Sequence, residues 1–289
     1  MIFINKLIKS PLNYTGNKFK LLPQILPVFP EKIKVFVDLF GGGCNVGINT
    51  NAEKIVYNEK QTAIYELFLG LYTVDKNKIV DTVEEIIHNY NNIETKEDYL
   101  QLREDYNNSK DWLRLFVLSC YSYCFAIRFN SKGGFNMPSG VGSSNFNESI
   151  KSRLIDFTNH IQSLKMQFAN KDFRELKYDR LSSEDFVYCD PPYLISTASY
   201  NENGGWTQKD ENELYCVLDS LNNNEIKFAL SNVIVHKGNN NESLIEWAKK
   251  YNTYALNMSY DTKWRATRKV DEVPKETIEV LITNYKLII

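Results

Sequence analysis

Val35-Phe36-Val37-Asp38-Leu39-Phe40-Gly41-Gly42-Gly43 carries a short apolar, β-branched run into a glycine turn. Such a run reads as a buried strand, and a turn of this kind lets backbone approach a ligand closely. A helix is expected from Cys44 onward. The glycine spacing, Gly41, Gly43 and Gly47, misses the G-x-G-x-x-G of dinucleotide binding by one residue. Working outward, Lys54-Ile55-Val56-Tyr57, Phe186-Val187-Tyr188-Cys189, Lys227-Phe228-Ala229-Leu230 and Ile278 to Ile282 repeat the strand texture. Helical patterns from Glu211 to Leu221 and Leu244 to Lys250 lie between some of them. Buried strands alternating with helices predict an α/β fold with a sheet covered on both faces.

The texture changes between Gln61 and Gln167. Asp75 to Tyr90, Lys96 to Asn107 and Trp112 to Phe125 read as helices, with breaks at Asn91-Asn92 and at Asn107 to Lys110. A mainly helical insertion, residues 61–167, therefore interrupts an α/β body made of residues 1–60 and 168–289. Inside the insertion, Ile127-Arg128-Phe129-Asn130 and Phe135-Asn136-Met137 alternate around Ser131-Lys132-Gly133-Gly134, which predicts a β-hairpin. A short ribbon carrying Arg128 and Lys132 beside aromatic residues suits a nucleic-acid groove.

The chain has 289 residues and a formal charge of −2, so it is not coated in positive charge. Charge is nevertheless uneven. Lys6, Lys9, Lys18, Lys20, Lys32 and Lys34 face only Glu31 in the first segment, and Lys263, Arg265, Arg268 and Lys269 cluster late. Basic segments with aromatics between them point to an anionic partner. No apolar stretch approaches the roughly 20 residues that span a bilayer, and no cleavage signal follows the first residues. Cys44, Cys120, Cys124, Cys189 and Cys216 are odd in number and unpatterned; Cys120 and Cys124 read as helix neighbours without a zinc set. A reduced, cytoplasmic protein without metal or membrane association is expected. His88, His160 and His236 are isolated and read as structural or exposed.

Two constellations carry chemistry. Asn58-Glu59 follows the second strand about 20 residues after Asp38, where an acid can accept both hydrogen bonds of a ribose diol. With Asp38, Phe40, Gly41 and Gly43 this describes an adenosine-type cofactor. Asp190-Pro191-Pro192-Tyr193 follows the buried run that ends at Cys189. Two prolines stiffen the turn and leave carbonyls free. Asp190 and the Pro191 carbonyl can each accept from one amino group, and the Tyr193 ring can lie on a flat base. Cys189 reads as a buried small residue of the strand rather than a nucleophile.

At this point the chain resembles the Dam-type (D12 class) DNA adenine-N6 methyltransferases, in their α arrangement, and is particularly similar to phage-encoded Dam enzymes. Pro11 to Lys18, Phe36 to Gly43, Asn58-Glu59 and Asp190 to Tyr193 stand in the family's order. Thr207 to Asp210, Ala229 to Asn232 and Thr267 to Glu272 also match. The resemblance implies a Rossmann-like sheet (1–60 and 168–289) that uses S-adenosylmethionine and releases S-adenosylhomocysteine. It makes 61–167 the target-recognition domain, acting on double-stranded DNA as a monomer or a dimer on DNA, in a bacterial or phage-infected cell.

Residue by residue, the resemblance gives Tyr14, Lys18, Glu59, Asp172, Phe173 and Asp190 to the cofactor, with Glu59 where the family usually has Asp. Arg128 matches an arginine that reads guanine and Pro138 a proline that contacts thymine. Tyr123, Ala126, Asn130 and Lys132 complete the expected DNA contacts. Ala126, Ser139 and Val141-Gly142 depart from the family pattern, which bears on the recognition sequence, GATC by default. A cytosine-N4 or RNA methyltransferase and a catalytically silent DNA-binding relative are the rival functions. Asp190 argues against the cytosine enzymes, which usually carry Ser there.

Overall fold

The computed structural model describes residues 6–195, 205–256 and 277–287. The basic stretch Lys263–Lys269 and the match from Thr267 to Glu272 lie outside them. Two compact units are present. Met1–Asn17, Gly41–Asn49 and Tyr57–Asn170 form the first; Lys18–Phe40, Thr50–Val56 and Lys171–Ile289 form the second.

A short helix α1 (Leu22–Ile25) and strand β1 (Val35–Asp38) precede the glycine turn, and β2 (Lys54–Asn58) follows it. The expected helix from Cys44 does not form. Cys44 has a left-handed backbone, φ 56°, and the segment holds only a 3-10 turn at Gly47–Asn49. Side chains replace helical hydrogen bonds here. Asn45 Oδ1 accepts from Ser10 N at 2.9 Å, and the Asn49 amide exchanges two 2.8 Å bonds with the Ile8 backbone.

The first unit is built on α2 (Thr62–Thr73), α3 (Lys76–Asn89), α4 (Lys96–Ser109), α5 (Trp112–Tyr121) and α6 (Glu148–Ser163), followed by strand β3 (Met166–Ala169). The helix starts are chemically specified. Asp75, Asp111 and Asn147 cap α3, α5 and α6, and Thr95 with Asp98 forms a capping box on α4. Leu67, Phe68, Val83, Leu102, Phe116 and Phe157 meet in its core. Helix α5 stops at Tyr121, short of the expected Phe125, because Ser122 takes extended backbone, and Cys124 and Phe125 then turn left-handed, φ 55° and 56°. Cys120 and Cys124 therefore do not share a helix.

The second unit continues with β4 (Phe186–Cys189), α7 (Gln208–Asn223), β5 (Lys227–His236), β6 (Asn239–Asn240), α8 (Glu242–Ala248), β7 (Asn252–Leu256) and β8 (Ile278–Thr283). Its strands run β2-β1-β4-β5-β8-β7, with β6 beside β5; in the first unit, β3 neighbours β2, whose last two residues belong there. Pairing is parallel from β1 through β4 to β5 and antiparallel from β5 through β8 to β7. All four residues of β4 are buried, as a central parallel strand requires. Val37, Val187, Phe228, Leu230 and Ile282 pack with Leu214 and Leu218 of α7 and Trp247 of α8. Phe36, Phe186 and Tyr188 pack with Phe29 in a second aromatic group. This is the expected α/β class. No described helix is long and apolar enough to cross a membrane.

Candidate active site

Asp190 follows the last residue of β4, at the carboxyl end of a central strand, where open α/β sheets bind ligands. Its Oδ2 lies 2.7 Å from Lys18 Nζ, and Lys18 is only 4% exposed. The backbone around Lys18 is fixed, since its carbonyl accepts from Leu21 N at 2.8 Å and Leu22 N at 3.0 Å. Tyr193 swings its hydroxyl back over the turn, 3.1 Å from Asp190 Oδ1 and 2.8 Å from Glu279 Oε1. Glu279 also reaches Lys18 at 3.4 Å. Burial disfavours the Lys18 ammonium, but the Asp190 and Glu279 carboxylates outweigh it and hold Lys18 above the ordinary lysine range. Two half-buried carboxylates thus share one buried cation, and none of the described peptide bonds through Pro191 and Pro192 is cis. Cys189 is fully buried, and burial pushes its thiol well above the ordinary range, as suits an inert residue of the strand.

Glu279 was not legible as a site residue, because Ile278 to Ile282 reads as an apolar strand. The signal was an acid inside that run. Trp206 was also missed. Its ring stands 5.6 Å from Phe40 and 5.7 Å from Phe173, which are themselves 5.7 Å apart, so three aromatics meet in the second unit. The indole N–H is buried without a hydrogen-bond partner among the described residues. Asp172 caps the turn at Phe173–Glu175 and pairs with Arg174 at 2.9 Å. The Arg174 guanidinium lies 4.3 Å from the centre of the Phe173 ring and also pairs with Asp210 and Glu213. Asp38, at the end of β1, is 2% exposed and sits in register with Tyr188.

In the first unit Glu59 follows β2 and is held by backbone donors. Gln61 N gives 2.7 Å to Oε1 and Gly42 N gives 2.9 Å to Oε2. Burial pushes the Glu59 carboxyl up, the backbone N–H groups oppose it, and it stays above the usual carboxylate range. The glycines answer to side chains of this unit. A Cβ on Gly41 would fall 2.2 Å from the Tyr57 ring, and one on Gly43 would fall 3.0 Å from Tyr14 Cβ. Gly41 is therefore required by Tyr57, which donates to Gly42 O at 2.8 Å. That packing reason was not in the sequence reading.

The expected hairpin lies in the same unit, in reduced form. Phe129 and Phe135 make one antiparallel bridge, and Ser122 and Ser139 another. The turn closes through Asn130 N to Gly134 O, 2.8 Å, with Gly133 at φ 74°. Arg128 Nε donates to Asn136 Oδ1 at 3.0 Å and Nη2 to Asn136 O at 3.2 Å, so Asn136 orients the guanidinium. Helix α4 grips the second arm. Asn107 exchanges two bonds with the Phe135 backbone, 2.8 and 3.1 Å, while Tyr99 and Arg103 donate to Met137 O at 3.0 and 3.2 Å. Asn130, Lys132 and Pro138 are exposed, Ala126 is half-buried, and Tyr123 is 58% exposed.

An acid and a tyrosine on a Pro-Pro turn, a buried acid after the second strand and a gripped hairpin occur together in one class of protein. Residues 14–262 match the D12 class N6 adenine-specific DNA methyltransferases, and the chain belongs to that family. It is 43% identical over 286 residues to the modification methylase StsI of Streptococcus sanguinis and 42% identical over 286 residues to the type II methyltransferase M.FokI of Planomicrobium okeanokoites. Those matches cover 97% of this chain and 43% of each relative. A DNA adenine methylase of Vibrio cholerae is 25% identical over 271 residues, 91% of this chain and 93% of its own length.

Proposed function

We propose that this chain transfers a methyl group from S-adenosylmethionine to the N6 amino group of an adenine flipped from double-stranded DNA. The observation that carries the reading is the Asp190 turn: a carboxylate at the end of the central strand, neutralised by buried Lys18 and flanked by Tyr193. The adenine amino nitrogen is a poor nucleophile because its lone pair is delocalised into the ring. Asp190 and the Pro191 carbonyl, both accepting from that amino group, draw the nitrogen towards a tetrahedral form and aim its lone pair. Burial pushes the Asp190 carboxyl above the usual carboxylate range, and Lys18 opposes that shift and so favours the ionised acceptor. The Tyr193 ring offers a stacking surface that offsets part of the few kcal/mol that flipping costs.

The residues fit the cofactor. The Glu59 oxygens accept backbone N–H groups of Gln61, Gly42 and Lys60 and keep acceptor capacity for a ribose hydroxyl. The Phe40, Phe173 and Trp206 rings suit a flat adenine, and the unused Trp206 indole N–H is a donor in want of an acceptor. When bound, S-adenosylmethionine supplies an activated methyl and leaves as S-adenosylhomocysteine, a neutral thioether. Tyr14, Lys18, Asp38, Gly41, Gly43 and Asp172 keep the cofactor roles that family membership suggests.

We assign residues 1–60 and 168–289 to catalysis and 61–167 to target recognition. Arg128, pre-set by Asn136, reads a guanine edge, with Tyr123, Ala126, Asn130, Lys132 and Pro138 as neighbouring contacts. A GATC duplex is the first substrate to try, and the departures at Ala126, Ser139 and Val141-Gly142 make a panel of other adenine-containing duplexes the second. The test is transfer of tritiated methyl to DNA followed by nucleoside analysis. Label in N6-methyladenosine supports the reading; label in N4-methylcytosine, or in RNA alone, refutes it.

A further inference from the structure

The Asp190 carboxylate faces a competition. Oδ2 is taken by Lys18 at 2.7 Å, and Oδ1 lies 3.1 Å from the Tyr193 hydroxyl. If the Tyr193 proton sat on Oδ1, each oxygen of the acceptor would already hold one donor and keep only its second lone pair for an arriving base. A phenol has one proton to give, and Glu279 Oε1 is nearer to it, at 2.8 Å.

The fold places Glu279 there by two devices. Alternation along β8 sets Val280 and Ile282 into the core with α7 and α8, and so turns Glu279 to the opposite face, that of Leu281. Leu281 pairs with Ser231, whose hydroxyl meets Tyr188 at 2.7 Å. A register shift on β5 between Val233, opposite Glu279, and Val235, opposite Ile278, marks a bulge at this step. Bulges re-aim side chains beside functional sites.

We propose, resting on the function assigned above, that Glu279 is a positioning residue for methyl transfer: it accepts the hydrogen bond of the Tyr193 hydroxyl and so keeps Asp190 Oδ1 available to the adenine amino group. Its contact with Lys18 is secondary. At 3.4 Å it is longer than the 2.7 Å pair with Asp190, so Lys18 keeps a partner when Glu279 is changed. A purely structural Glu279 would act through Lys18 and be indifferent to the Tyr193 hydroxyl. A positioning Glu279 acts through that hydroxyl.

A double-mutant cycle with Glu279→Gln and Tyr193→Phe separates the two. Tyr193→Phe keeps the ring and removes the contested proton. In the wild-type background Glu279→Gln, whose neutral amide oxygen is a weaker acceptor for the Tyr193 hydroxyl, lowers kcat about fivefold or more, the difference between a hydrogen bond to a charged and to a neutral acceptor. The dissociation constants for S-adenosylhomocysteine and for target duplex, read by calorimetry, stay within about twofold. In the Tyr193→Phe background the same substitution changes kcat by less than about threefold. Glu279→Asp, which keeps the charge but withdraws it by one methylene, loses kcat as Gln does, and serves if the Gln variant fails to fold. Equal losses in both backgrounds, or full kcat in Glu279→Asp, overturn the proposal. A wild-type protein that methylates no adenine refutes the assigned function instead, so the two failures are distinct.

Discussion

The turn after β4 and the hairpin after α5 are held in opposite ways. At the turn, charged side chains sit in the interior and satisfy one another: Asp190, Lys18 and Glu279, with the Tyr193 hydroxyl between the carboxylates. At the hairpin, backbone groups are satisfied by side chains of α4, and the residues expected to read DNA remain exposed or half-buried. In the first, chemistry and support are the same atoms, so a substitution removes both. In the second, support comes from Asn107, Tyr99 and Arg103, while the reading proposed for this hairpin falls to Arg128 and its neighbours. Reaction type can thus stay fixed while the recognition sequence drifts.

The largest expected effect falls on the turn. Asp190→Ala retains binding of DNA while methyl transfer drops by about 10²–10³-fold or more, the range for losing one pre-organised polar group at a reacting centre. Single-turnover transfer beside a filter-binding titration checks it, and substantial turnover would erase the contrast. Next comes the reading position. Arg128→Ala should lose about 1–3 kcal/mol of discrimination between the cognate duplex and one with the guanine replaced. Competition between the two duplexes measures this, and the rate on the preferred duplex at saturation should change far less. A support position sharpens the comparison. Asn107→Ala frees the Phe135 backbone N–H and C=O, costing about 1–2 kcal/mol of stability, and blurs the same discrimination without weakening cofactor binding. If Asn107→Ala alters kcat on every duplex equally, the separation of support from chemistry is wrong.

The smallest effect is remote from both regions. Burial works against the Asp219 carboxylate, but Lys250, Tyr251 and Trp247 hold it below the usual range. A carboxylate held low when folded adds stability above its unfolded pKa, about 3.9, and loses it as pH falls through the folded value. Asp219 is a third exposed, so the gain is no more than about 1 kcal/mol. Thermal melts should show Asp219→Asn less stable than wild type at pH 7, with the gap narrowing as pH falls below about 3.9.

Much of the sheet was legible because β1, β4, β5 and β8 are apolar, β-branched runs, several of them ending at recognisable turns. The Pro-Pro turn and the acid after β2 were legible for the same local reason. What failed was tertiary. Nothing local to Cys44 says that Asn45 and Asn49 will bind residues near Ile8 and Ser10 in place of a helix. Gly41 and Gly43 read as ligand glycines, while the side chains beside them, Tyr57 and Tyr14, stand 16 and 29 residues away in the sequence. Glu279 meets Tyr193 across 86 residues, a pairing that periodicity cannot express. The hairpin turn was read correctly, but the grip of α4 on it depends on Asn107, which from sequence served only as a helix break.

Mapping of modified bases in DNA from methylation-deficient cells that express the protein, beside cells expressing Asp190→Ala, tests the central claim most directly. The account predicts N6-methyladenine at one short sequence context with the wild-type protein and none with the variant. N4-methylcytosine, an unmodified genome, or the same adenine mark from Asp190→Ala would contradict it.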